Sequence, residues 1–304
     1  MNILNILEEI EKVDGEIYER LNPRRKAMQD FYNIGKKISL AALPLAMGSL
    51  FQKAYGQTPT STVTDVLNFA LGLEYLEWNF YNHALVATPS LVPDTNGAKT
   101  AITLIRDHER AHVNLLKSVL NITTPTDPAS DGTKYADYQF EAVLADVFTN
   151  YQSFLKVGVA LEDTGVRAYK GQAGILSQGG DLSKNAVLKT ALQIHAVEAR
   201  HAAHLRAMAA ASLGVNLKPW IAYAANGNDT GIGLVDGNYA GEQNTTQAGV
   251  DITSLFTAAN GSPVLTGAAA QTAAAECFDE ALDGVSVKKL ANAFIKSSSG
   301  KQFT

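Results

Sequence analysis

Four glutamates and two histidines stand out by type and spacing: Glu74, Glu109 with His112 three positions on, Glu162, and Glu198 with His201 three positions on. Three positions along an α-helix come close to a full turn, so each Glu-x-x-His pair offers a carboxylate and an imidazole to one point. That mixture of oxygen and nitrogen donors suits iron or manganese, does not separate the two, and leaves zinc open as an occupant after purification. Four ionised carboxylates in one apolar core repel one another, and each suffers a desolvation cost of several kcal/mol if left unpaired. Two divalent cations would balance four carboxylates. The alternative is a buried polar network that binds no metal.

The elements that must position these side chains are long helices. Periodicity predicts them over roughly 61–86, 96–120, 136–172 and 183–213, separated by Pro, Gly and Asp clusters. Thr60–Thr64 offers N-cap candidates, Asn121 and Pro125 end the second helix, and Gly179-Gly180 precedes the fourth. Each helix carries an apolar stripe with one glutamate at its centre. The stripes run Val63, Leu67, Ala70, Glu74, Trp78, Tyr81, Leu85; Ile102, Ile105, Glu109, His112, Val113, Leu116, Leu120; Leu144, Phe148, Tyr151, Leu155, Gly158, Glu162, Val166, Tyr169; and Ala191, Ile194, Glu198, His201, Ala202, Leu205. Glu74 lies about a dozen residues before its helix ends and Glu109 about a dozen into the next, which puts both about 18 Å from the same end of an antiparallel pair. Glu74 to Glu109 is 35 positions and Glu162 to Glu198 is 36, the pattern of a duplicated helical hairpin.

Neighbouring polar residues read less sharply. Tyr81 and Tyr169 each follow a single glutamate by seven positions on the same face, and are either partners of the metal-facing carboxylates or plain core packing. His108 and His195 flank the ligand positions and are either groups that support the metal ligands or, as the simpler reading, hydrogen-bonding partners between helices. His204 points furthest from the core. Glu77 and Asp163 fall off the stripe centres and are expected at the rim or in solvent.

The segments LNFALGLEYLEWNFYNHA, HERAHVNLL, ALEDTGVRAY and VEARHAAHLRAM resemble the four helices of bacterioferritins and their relatives, over residues 61–213. With its leader and its long C-terminal extension, the whole chain is more similar to the desiccation-related, ferritin-like proteins of bacteria, plants and fungi than to a storage ferritin. The resemblance implies an all-α, ferritin-like four-helix bundle over 57–217, with a cap of loops and short helices over 218–304. It also implies a pair of divalent metal ions, iron or manganese, held by Glu74, Glu109, His112, Glu162, Glu198 and His201, and an association with stress. Within the extension, VSVKKLANAFI predicts a short helix over Val285–Ile295.

Composition narrows the function classes. A net charge of -5 provides no basic field for nucleic acid. One cysteine, Cys277, excludes an intrachain disulfide framework and any Cys-rich metal site, and is expected to be packed. Residues 1–56 hold Arg24-Arg25, the apolar run Ile38–Phe51 and Ala54-Tyr55-Gly56. Together they resemble a twin-arginine export signal with its cleavage site, and imply a periplasmic or extracellular protein. The other reading is an N-terminal helix packed on the domain of a cytoplasmic protein. Redox chemistry on dioxygen, peroxide or ferrous iron is one expectation for the centre; the other is a protective protein whose metals stabilise the bundle. Closed-shell iron storage fits least, because an extension of some ninety residues would have to be accommodated in every shell contact. The sequence leaves the oligomeric state, including a homo-oligomer, undecided.

Overall fold

A computed structural model describes residues 62–123, 134–177, 185–223, 236–247, 249–257 and 261–304. The leader 1–56, Pro125 and Gly179-Gly180 lie outside them. Four long helices carry the stripes: α1 (Val63–Val86), α2 (Ala98–Val119), α3 (Tyr151–Leu176) and α4 (Ala186–Leu213). Three of them start where a side chain satisfies the free N–H groups of the first turn. Thr62 and Asp65 form a reciprocal capping box on α1, Asn150 accepts from Gln152 N and Ser153 N on α3, and Asn185 accepts from Leu188 N on α4. Helix α2 follows Asn96 and Gly97, both at positive φ, and has no side-chain cap. It gives way to Asn121 at φ 57°, and α4 to Gly214 at φ 66°, the left-handed residues that end helices.

The helix expected over 136–172 begins later and ends later. Residues 135–150 form a 3-10 turn (Tyr135–Asp137), a single α-turn (Phe140–Val143) and bends. Their backbone bonds instead to the far end of the chain: Gln139 N donates to Phe294 O at 2.8 Å, and Lys296 N to Asp137 O at 2.9 Å. Leu144 and Phe148 still pack on the core, from this irregular segment rather than from a helix.

In the bundle α1 packs on α2, α3 on α4, and α1 against α3. The glutamates divide the interior into two apolar halves. One is built around Phe80, Tyr81, Phe140 and Phe154, the other around Leu67, Tyr75, Leu116 and Ile194. The C-terminal extension contains a two-stranded antiparallel ribbon, β1 (Thr246–Gln247) with β2 (Val250–Asp251), and two helices, α5 (Gly267–Ala275) and α6 (Gly284–Asn292). Helix α6 is the short helix expected near 285–295. Among the described residues no helix is long and apolar enough to cross a membrane.

The extension lies against the outer sides of α1 and α3. Phe303 meets Phe69 edge to face at 5.2 Å, and Leu282 N donates to the Arg167 carbonyl. Gly171 makes that approach feasible, because a Cβ there would collide with the Leu282 carbonyl. Helices α1 and α3 therefore bury residues well beyond their inward stripes. This corrects the sequence reading of Glu77 and Asp163, which are 3% and 2% exposed rather than at the rim. Cys277, expected to be packed, is exposed.

Candidate metal centre

Each bundle helix places one glutamate in the layer between the two apolar halves, and all four are fully buried. His112 and His201 join them, both almost fully buried. His112 Nδ1 lies 3.0 Å from Glu74 Oε2, 3.0 Å from Glu109 Oε2 and 3.2 Å from Glu198 Oε1. His201 Nδ1 lies 2.8 Å from Glu109 Oε1 and 3.1 Å from Glu162 Oε2. Two donor groups result: Glu74, Glu109, His112 and Glu198; and Glu109, Glu162, Glu198 and His201. Glu109 and Glu198 belong to both.

Hydrogen bonding cannot account for this convergence. A ring nitrogen carries one hydrogen or one lone pair and cannot serve three carboxylates. Glu109 Oε1 and both oxygens of Glu198 are buried without a hydrogen-bond partner, so the short approach of His201 Nδ1 to Glu109 lacks the angle of a bond. Orphaned, buried anionic oxygens are costly in an apolar core. Oxygen atoms flanking two imidazole nitrogens are the donor set that divalent transition ions take. The residues therefore fit a pair of metal ions with Glu109 and Glu198 between them.

The electrostatics of the protein chain express the same crowding. Burial, followed by the charges of Glu109 and Glu162, pushes the Glu198 carboxyl well up. Burial and the Glu162 charge raise Glu109 to about 7. Burial acts to discharge the histidines, but the surrounding carboxylates outweigh it, raising His112 strongly and His201 to about 11. Glu74 goes the other way: burial opposes its ionisation, yet the His112 charge and bonds from His112 and Tyr169 hold it below the ordinary carboxylate range.

The two tyrosines cross the bundle. Tyr81 of α1 donates to Glu162 Oε1 of α3 at 2.6 Å, and Tyr169 of α3 donates to Glu74 Oε1 of α1. Each apolar half thus sends one hydroxyl into the carboxylate layer. Both phenols are pushed well above their ordinary value, by burial first and then by the carboxylate each one bonds. His108 Nδ1 sits 2.9 Å from His201 Nε2, the ring nitrogen facing away from the carboxylates, and so fixes that imidazole's orientation. His195 instead bonds the Val166 carbonyl at 3.0 Å. His204 is exposed.

Two acids missed at the sequence level have separate surroundings. Asp163 takes a bidentate contact from Arg206, at 3.1 Å and 2.6 Å, and a 2.8 Å bond from Tyr239 of the extension. Glu77 feels most strongly, after its own burial, the charges of the four core glutamates, and its carboxyl is raised well above the ordinary range. The signal for Glu77 lay in the repeat: Glu74 and Glu162 are 88 positions apart, and 88 positions beyond Glu77 stands Gly165. A side chain inserted opposite a missing one marks an interior position.

Residues 62–211 match the family model of the ferritin-like domain. No curated protein and no solved structure matches the chain.

Proposed function

The chain carries a ferritin-like domain over residues 62–211, and from its buried centre we propose a di-iron or di-manganese carboxylate protein that carries out redox chemistry on dioxygen, peroxide or ferrous iron. The observation that carries this reading is the convergence of four carboxylates on two imidazole nitrogens, with Glu109 and Glu198 shared and their oxygens otherwise unpartnered. A metal pair held by such ligands would supply electrons to dioxygen or peroxide, or accept them from ferrous iron or from a second peroxide, at coordination positions that the protein leaves free.

The side chains divide the work. Glu109 and Glu198 would lie between the ions, while Glu74 with His112 and Glu162 with His201 would hold them from opposite sides. Tyr81 and Tyr169 donate to the two terminal carboxylates and fix their outward oxygens. His108 keeps the His201 ring turned so that Nδ1 faces inward. The apolar halves exclude bulk water, which strengthens every charge interaction in the layer. The sequence's resemblance to desiccation-related proteins supports a stress-protective setting for this chemistry.

Metal analysis of the purified protein should find about two ions per chain, and Glu109→Ala with Glu198→Ala should remove at least one. The reduced iron form should consume dioxygen or peroxide faster than ferrous iron in the same buffer, or the manganese form should release oxygen from peroxide. If neither form reacts above the buffer control and metal removal markedly lowers the melting temperature, the metals serve stability alone. Full occupancy in the double variant would sink the di-metal reading.

A further inference from the structure

Glu77 has no role in the two donor groups, yet its place is unusual for a packing residue. It is 3% exposed and lies one turn beyond Glu74 on α1. The duplicated hairpins put Gly165 of α3 at its repeat position, just as they put Glu162 at that of Glu74 and Tyr169 at that of Tyr81, all at an offset of 88. The centre is therefore symmetric in its tyrosines and single glutamates and asymmetric at this position. A Cβ built on Gly165 would stand 2.9 Å from Glu198 Oε2 and 3.2 Å from Glu77 Oε1. The two carboxylates thus come together over Gly165, closer than any side chain at 165 would allow.

Two buried carboxylates brought this close are costly unless something positive lies between them. Glu198 Oε2 is fully buried and has no hydrogen-bond partner. Glu77 also lines, with Thr164 and Gly165, a small cavity whose other wall includes Leu290, Ala291 and Phe294, from α6 and the chain just after it.

We propose that Glu77 is a seventh metal-binding side chain, a carboxylate that shares with Glu198 an ion of the centre beside Gly165. The proposal rests on the di-metal reading of the centre. It makes the two ions inequivalent: Glu77 offers one of them an additional anionic oxygen, and the other, for which the repeat supplies no matching acid, keeps a free position for an outside ligand.

The test uses the full chain and two probes, manganese and cobalt. Manganese binding is titrated by counting free Mn2+ from its magnetic resonance signal, and the Co2+ form is examined by visible absorption, which reports coordination. Wild type should bind two Mn2+ per chain. Glu77→Gln, which keeps the shape and removes the charge, should weaken one of the two by roughly tenfold or more, leave the other unchanged, and alter the cobalt spectrum. Gly165→Ala should weaken the same ion while Glu77 is intact, and it carries the test if Glu77→Gln fails to fold. Two ions bound with wild-type affinity and an unchanged cobalt spectrum in the folded variants would overturn the proposal and leave the di-metal reading standing. A wild-type protein that binds neither probe would overturn both.

Discussion

At the scale of single residues the centre is a place where protons would compete with a bound metal. Glu109, with an ordinary value of 4.5, is raised to about 7, chiefly by burial and the Glu162 charge. His201, with an ordinary value of 6.5, is raised to about 11, because the Glu162 and Glu109 carboxylates overcome the effect of burial. Both groups hold a proton more tightly folded than unfolded, so the native state binds more protons and stability falls as pH rises. The Glu109 contribution is complete below 4.5 and lost as pH passes 7; that of His201 is complete below 6.5 and lost towards 11. The metal-free protein should therefore melt at progressively lower temperature between about pH 5 and pH 9. Added Mn2+ should counter the decline, since ligation displaces those protons and tightens as pH rises. Thermal unfolding with and without the metal checks both slopes, and a metal-free melting temperature that climbs over this range would contradict the assignment.

At the scale of elements, α3 and α4 are joined beside the centre by a buried ion pair that also holds the extension. Arg206 of α4 binds both oxygens of Asp163 on α3 and donates to the Trp220 carbonyl at 3.2 Å. Arg167 of α3 performs the matching task one turn on, donating to the backbone carbonyls of Glu280, Asn238 and Ala240 and pairing with Glu242 at 2.8 Å. Removing one partner of such a pair leaves an uncompensated charge in the interior. Arg206→Ala should cost about 3–5 kcal/mol, whereas replacing both partners with apolar residues, Asp163→Leu with Arg206→Met, should cost much less. Denaturant unfolding of the two variants distinguishes them. A double variant as unstable as the single one would show that the bonds to the extension, rather than the stranded Asp163, dominate the loss.

At the scale of the whole molecule, the extension decides what the inside of the bundle is. It buries the outer sides of α1 and α3, lines the cavity beside Glu77 through α6, and anchors its own start where Lys218, Trp220 and Tyr223 converge on Glu276. The other terminal segment is argued from sequence alone. The twin arginines, apolar run and small residues at 54 and 56 lead us to propose that residues before about 57 direct export and are removed. Mass spectrometry of the native N-terminus should then find a chain starting near Gln57; an intact Met1 throughout a soluble cytoplasmic pool would reject export.

The sequence by itself determined the layer of four glutamates and two histidines, because position on a helix face is a local property that follows from 3.6 residues per turn. The same periodicity accounts for the α4 stripe, where Ala191, Ile194, Glu198, His201, Ala202 and Leu205 are all buried. Only the tertiary structure decided the rest. Glu77 and Asp163 were misread because an off-stripe residue is exposed only when nothing covers that side, and here Leu290, Ala291 and Phe294 lie over Glu77 while Arg206 and Tyr239 cover Asp163. The late start of α3 has a similar cause: residues 137 and 139 bond to residues 296 and 294 instead of continuing a helix. The tyrosines illustrate both levels at once. Spacing put Tyr81 behind Glu74 and Tyr169 behind Glu162, but the packing of α1 on α3 sends each hydroxyl to the other's glutamate. A pattern along one helix specifies which way a side chain points; what it meets there depends on the helix opposite.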